Sequence, residues 1–281
     1  MKETLFFITL FLKFAILNSQ VNIDIEKIQD YKKEVKIISS NLMFNDSIDT
    51  STFSIKTYMG LYPSLKIRKK NYVFDYYYFD DFLDGKPYIY VRNKRFDLIK
   101  DVNKKADERK LKGEERTDFI LRSLHYFLND PINRANKNVI PEDTEKGYVH
   151  YLYFCEFGEL FALKWHAGYK KKQVICSKKE IEGILKGYAE RQIYADTINN
   201  ANDFLLEDIS HCDTVALQNL LLLDSIISVQ FNEDNVIVKW IELKEWSGIF
   251  EMSYKIMRTS PYHIELINEK RLAEIQKGYV Y

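Results

Sequence analysis

A neutral chain of 281 residues, with 41 basic and 41 acidic side chains, has no global field to steer it toward nucleic acid or an anionic membrane. Its 46% hydrophobic and 29% charged content excludes the disordered and fibrous classes and provides for an ample core, in one large domain or two modest ones. Twenty Tyr and 18 Phe against 10 Gly and 5 Pro favour sheet and helix over long loops.

The chain opens "MKETLFFITLFLKFAILNSQ": a lysine, an apolar run from Leu5 to Leu17, then a polar exit at Asn18, Ser19 and Gln20. That order is the layout of a signal peptide. The run is shorter than the roughly 20 residues a bilayer span needs, and Lys13 interrupts it, so no permanent membrane span is expected. The stretch resembles leaders of bacterial secreted proteins that end in Ser-Gln, a likeness that identifies no family. A periplasmic or secreted product is the expectation; the alternative is a cytoplasmic domain with an amphipathic N-terminal helix.

Val21–Leu42 has apolar residues at near-helical spacing and reads as an amphipathic helix, and Asn45–Ser54, rich in Asp, Ser and Thr, as a loop. The stretch "NYVFDYYYFDDFLDGKPYIY" then reads as a hairpin turning tightly at Asp84-Gly85, with Tyr77 opposite Arg92 and Phe79 opposite Tyr90. Aromatic residues fall on both of its faces, which predicts burial on both sides. Asp101–Asn129 reads as a helix stopped by Pro131, and "NRANKNVIPEDTEKG" as a polar connection between residues 21–135 and 145–281.

Tyr148–His166 alternates like a second hairpin around Phe157-Gly158, followed by a strand at Gln173–Cys176 and a helix at Lys178–Asn199. Gly183 and Gly187 in that helix suit close approach of another element. Asp213 opens a further helix. Ile226–Glu265 reads as three strands, turning at "NEDN" and near "SPY", with a short helix at Asn268–Gln276. Grouped strands and grouped helices predict an α+β fold with mainly antiparallel sheet hairpins.

No Walker loop, Rossmann fingerprint, Gly-x-Ser-x-Gly elbow, His-Glu-x-x-His, EF-hand or Cys-x-x-Cys is present, which weighs against an enzyme and implies no cofactor. His150 and His166 fall on opposite faces of the expected hairpin, so no metal site is read from them with Cys155, and His150 reads as a core histidine. His211 and Cys212 are adjacent and diverge on a strand, or His211 sits near a helix cap. Three cysteines, Cys155, Cys176 and Cys212, cannot all pair; buried free thiols are expected, with Cys155 and Cys176 the alternative pair.

Four residues on one face of that hairpin, Tyr151, Tyr153, Lys164 and His166, mix aromatic and hydrogen-bonding groups as binding pockets do. They are the candidate binding residues. Asp80, Asp81, Glu156 and Glu159 are carboxylates set among aromatics, the raw material for a paired-carboxylate hydrolase that needs two groups about 5 to 10 Å apart. Basic runs at Ile67–Lys70 and Tyr169–Gln173 read as protected strand edges rather than nucleic-acid contacts. The expectation is a binding protein for a glycan, peptide or protein partner through a Tyr-rich sheet surface; the alternatives are a periplasmic hydrolase and a toxin-neutralising or structural interaction protein.

Overall fold

The computed structural model describes residues 24–38, 47–79, 85–164, 172–198, 209–244 and 247–277. The leader reading of residues 1–20 therefore lies outside the described residues. The fold is α+β, with eight helices and several antiparallel sheets among the described residues.

Helix α1 (Ile25–Glu34) buries Ile25 and Ile28 and ends sooner than the apolar spacing predicts, because the chain turns extended at Val35 and enters β1 (Ile37–Ile38). That strand pairs with β2 (Ser47–Ile48), inside the segment expected to be loop. Helix α2 (Ile55–Gly60), capped by Ser54 through Thr57 N, leads to β3 (Leu65–Ile67).

The aromatic hairpin forms as β4 (Tyr72–Phe79) and β5 (Lys86–Asn93), but Tyr77 faces Tyr88 rather than Arg92, a displacement of four residues. The described ladder ends at Phe79 and Lys86, and Asp84 of the expected tight turn lies outside the described residues. An even displacement keeps every side chain on its expected face. Tyr78, Ile89 and Val91 join the main core, while Tyr88 and Tyr90 pack with Leu98, Val102, Leu124 and Leu128. Burial on both sides accounts for the aromatic content.

The single helix expected next is two, α3 (Leu98–Glu108) and α4 (Gly113–Asn129), because Lys110 and Gly113 take positive φ of 58° and 55° and reverse the chain. The polar connection also carries structure: α5 (Ala135–Asn138) and β6 (Val139–Pro141), the latter paired with β3.

The largest departure follows. Glu145–Phe157 is a helix, α6, not half of a hairpin. Thr144 caps it by accepting from Gly147 N at 3.0 Å, and residues Gly147 to Phe154 are all buried. A helix enclosed on every side needs apolar residues all round, so it has no 3.6-residue stripe and its Tyr and Phe content mimics a strand.

Strand β7 (Lys172–Ile175) and helix α7 (Lys178–Ile198) appear where expected. Next come β8 (Ile209–Cys212), which places His211 and Cys212 on a strand, and α8 (Thr214–Leu220), capped by Asp213 through Ala216 N. The three tail strands are β9 (Ser228–Phe231), β10 (Asn235–Lys244) and β11 (Gly248–Met257). The predicted C-terminal helix is instead β12 (Ile264–Ala273) and β13 (Ile275–Lys277). Pairing along β11 overrides the helical propensity of "NEKRLAEI".

The main sheet runs β12-β11-β10-β7, with β9 also on β10. One face sends Val238, Trp240, Met252 and Tyr254 toward α6, where the Phe157 ring lies 5.7 Å from Trp240. The other sends Ile241 and Ile249 into a second cluster with Ile181, Leu217 and Leu220 of α7 and α8. The main core runs from Ile25 of α1 to Ile256 of β11.

Two glycines separate packing from propensity. A Cβ on Gly147 would sit 2.0 Å from the Glu142 carbonyl, whereas one on Gly183 or Gly187 meets nothing within 4 Å among the described residues, which do not supply the close approach expected there. Gly147→Ala should cost about 1–3 kcal/mol, and Gly183→Ala should gain roughly 0.5–1 kcal/mol. Urea unfolding of both variants checks this; equal effects would remove the role assigned to Gly147.

Candidate functional site

The three predicted binding residues that are described, Tyr151, Tyr153 and Lys164, do not converge. Tyr153 is 2% exposed and stacks 5.0 Å from Phe157 inside the core. Tyr151, on the same helix, turns toward the sheet and donates from its hydroxyl to Tyr262 O at 2.9 Å. Lys164 lies at the end of the aromatic hairpin, its N–H on Gly85 O at 2.8 Å, and His166 lies outside the described residues. A shared sheet face is thus replaced by separate helix and hairpin positions.

Of the four carboxylates, the two that are described take separate partners. Asp80 and Asp81 lie outside the described residues. Glu156 pairs with Lys172 at 2.8 Å. Glu159 accepts from Ile89 N at 2.8 Å and from Arg134 at 2.7 Å, while its burial raises its pKa. It ties the hairpin to α6.

His150 is buried as expected of a core histidine, its Nδ1 2.7 Å from Ser64 Oγ, and burial lowers it to about 4, so it is neutral at pH 7. Cys155 and Cys176 are free thiols, and burial pushes Cys155 up to about 12. Among the described residues, no group of three potential metal ligands occurs and no helix is long and apolar enough to cross a membrane.

What the structure does assemble is a cleft of about 940 Å³ between the α6-facing surface of the main sheet and the wall formed by the end of β3, α5 and α6. Its floor is Tyr151, Glu242, Met252 and Tyr254; Arg68, Lys69, Asn136 and Lys137 stand on one wall, and Ile264, Leu266 and Glu269 of β12 on the other. A side chamber of about 100 Å³ shares Asn136, Cys155 and Glu156 with it, and the buried Asn136 Oδ1 has no hydrogen-bond partner among the described residues.

The cations fall into two kinds. Lys172 and Lys244 are held by Glu156 and Glu269, the latter pair at 2.7 Å. Arg68 and Lys137 are exposed and form no ion pair among the described residues, while Lys69 lies 5.1 Å over the Tyr72 ring. The fields of Arg68 and Lys137 reach inward: Arg68 favours the ionised form of Tyr151, and Lys137 that of Cys155.

Glu242 is the unusual floor residue. It is fully buried; Oε1 accepts from Trp240 Nε1 at 2.8 Å and Tyr254 OH at 3.1 Å, and Oε2 has no partner among the described residues. Burial raises its pKa, against the lowering effect of Lys172, of these two hydrogen bonds and of Lys244. The sequence did carry a signal for it, as the one carboxylate in phase with Val236, Val238 and Trp240 on the inward face of β10. Arg68 and Lys69 stood in a basic run read as edge protection, and Lys137 in a segment read as loop. No family model, curated protein or solved structure is found to be similar to this chain.

A carboxyl with a raised folded pKa contributes stability that is present below its unfolded pKa, near 4.5, and lost as pH rises through the folded value. Glu242→Gln should therefore unfold at a higher temperature than the parent at pH 8 and lose that advantage at pH 4. Calorimetric scans at the two pH values check this, and an advantage of the same size at both would show that folding does not raise the pKa of Glu242.

Proposed function

We propose that the protein binds an extended segment of a peptide or protein partner in this cleft, without turnover. The observation that carries the reading is the pairing of an open cleft with exposed apolar side chains at its rim, Ile132 at 60% and Leu266 at 47% exposure, beside the outer strand β12. A glycan is less well served. Tyr151 and Tyr254 are 5% and 4% exposed, with hydroxyls committed to Tyr262 and Glu242, so neither ring face is open for stacking on a sugar. Binding rather than hydrolysis fits Glu156 and Glu159, whose carboxylates are engaged in ion pairs.

A photo-crosslinking residue placed at Leu266 or Ile132 in the native cell should capture the same partner. One at Tyr126, 79% exposed on α4 away from the cleft, should not. Equal capture at all three positions would remove the cleft from the account.

We further place the meeting with this partner outside the cytoplasm, on the signal-like order of residues 1–20. Intact mass should show a chain shortened by about twenty residues in periplasm or medium; full-length protein confined to the cytosol would overturn the placement.

A further inference from the structure

Charge within the cleft is one-sided although the chain as a whole is neutral. The carboxylates Glu156 and Glu269 neutralise Lys172 and Lys244, and Glu242 is enclosed in the floor. Arg68, Lys69 and Lys137 therefore stand without a carboxylate partner among the described residues, along one wall, and the exposed His263 also lines the cleft. They are held together by the backbone: β3 pairs with β6, Ile67 opposite Val139, and Arg68 N donates to Asn138 O at 2.8 Å, which brings Arg68 beside the end of α5 that carries Lys137. On the opposite wall Ile264 and Leu266 are apolar, and Glu269 beside them is taken up by Lys244 at 2.7 Å.

An extended chain sends successive side chains to opposite sides. Resting on the peptide-binding reading above, we infer that the cleft takes a segment in which acidic and apolar side chains alternate, the acids toward Arg68, Lys69 and Lys137 and the apolar groups toward Ile264 and Leu266. Complementary charge sets the register and the choice of partner, and the apolar contacts supply affinity. A single-stranded nucleic acid would meet the same cations, but the buried rings of Tyr151 and Tyr254 offer its bases no platform.

The test is a phage-displayed library of random dodecapeptides panned on the full chain, on Leu266→Asp and on Arg68→Glu with Lys137→Glu, each first shown to melt like the parent. All three positions are exposed, and the Ser pair Arg68→Ser with Lys137→Ser replaces the Glu pair if the latter does not fold. The expected result is enrichment of alternating acidic and apolar peptides whose binding is lost in Leu266→Asp. A synthetic representative should bind about tenfold more weakly to the Ser pair, weaken further as salt rises, and be replaced by basic peptides on the Glu pair.

Enrichment of neutral or basic peptides on the parent, still lost in Leu266→Asp, would overturn the charge inference and leave the peptide reading intact. No peptide dependent on Leu266 would overturn both. So would binding of the oligonucleotide dT12 that the Glu pair abolishes, without peptide enrichment.

Discussion

The structure depends on enclosing one helix on all sides. Helix α6 lies between the main sheet, the aromatic hairpin, α1 and α2, and nearly every side chain from Gly147 to Phe157 is out of water. A buried helix end leaves carbonyls that must find donors, and an unsatisfied one costs about 1–3 kcal/mol. Here the donors come from far along the chain. The Lys32 ammonium of α1 donates to Phe157 O, and the Tyr58 hydroxyl of α2 donates to Gly158 O at 2.8 Å. Lys32 as a whole is partly exposed, its ammonium lies 4.8 Å over the Tyr153 ring, and burial draws its pKa down to about 7.

That enclosure explains where the aromatics go. Besides stacked pairs such as Tyr153 and Phe157, rings pack edge-on or tilted around α6, Tyr62 against Phe154 at 5.2 Å and Tyr58 against Phe161 at 5.1 Å, and most of their hydroxyls have polar partners. Tyr58 donates to Gly158 O, so the Tyr62 hydroxyl 3.0 Å away donates to Tyr58 in turn. Tyrosine here is a core residue with a polar end, able to fill volume and satisfy backbone groups at once.

The cleft is a by-product of the same arrangement. Helix α6 covers the sheet where Trp240 meets Tyr153 and Phe157, but β12 extends past it, with residues Glu265 to Arg271 exposed. Short α5 and the end of β3 form the facing wall. The gap between them brings together residues from several separate stretches of chain, which is why charges scattered in sequence become one-sided in space.

The sequence by itself determined the α+β class, the aromatic hairpin with its two buried faces, the strand at residues 172–175, the helix after it and the Asp213 cap, because each rests on local turn chemistry or alternation that survives any packing. It also carried the core placement of His150. Tertiary structure alone decided that Glu145–Phe157 is a helix, since complete burial erases the amphipathic period by which a helix is recognised. It alone turned Ile264–Ala273 into a strand, because β11 offered a ten-residue edge to pair with. The site followed from those two decisions: Tyr153 went into the core, Tyr151 to the cleft floor, and Arg68, Lys137, Glu242 and Leu266 met only when β3, α5, β10 and β12 were folded around the same helix. Local sequence carries the propensity of each segment, whereas the choice of partner for each buried face is settled by which elements can close over one another without leaving a backbone group unpaired.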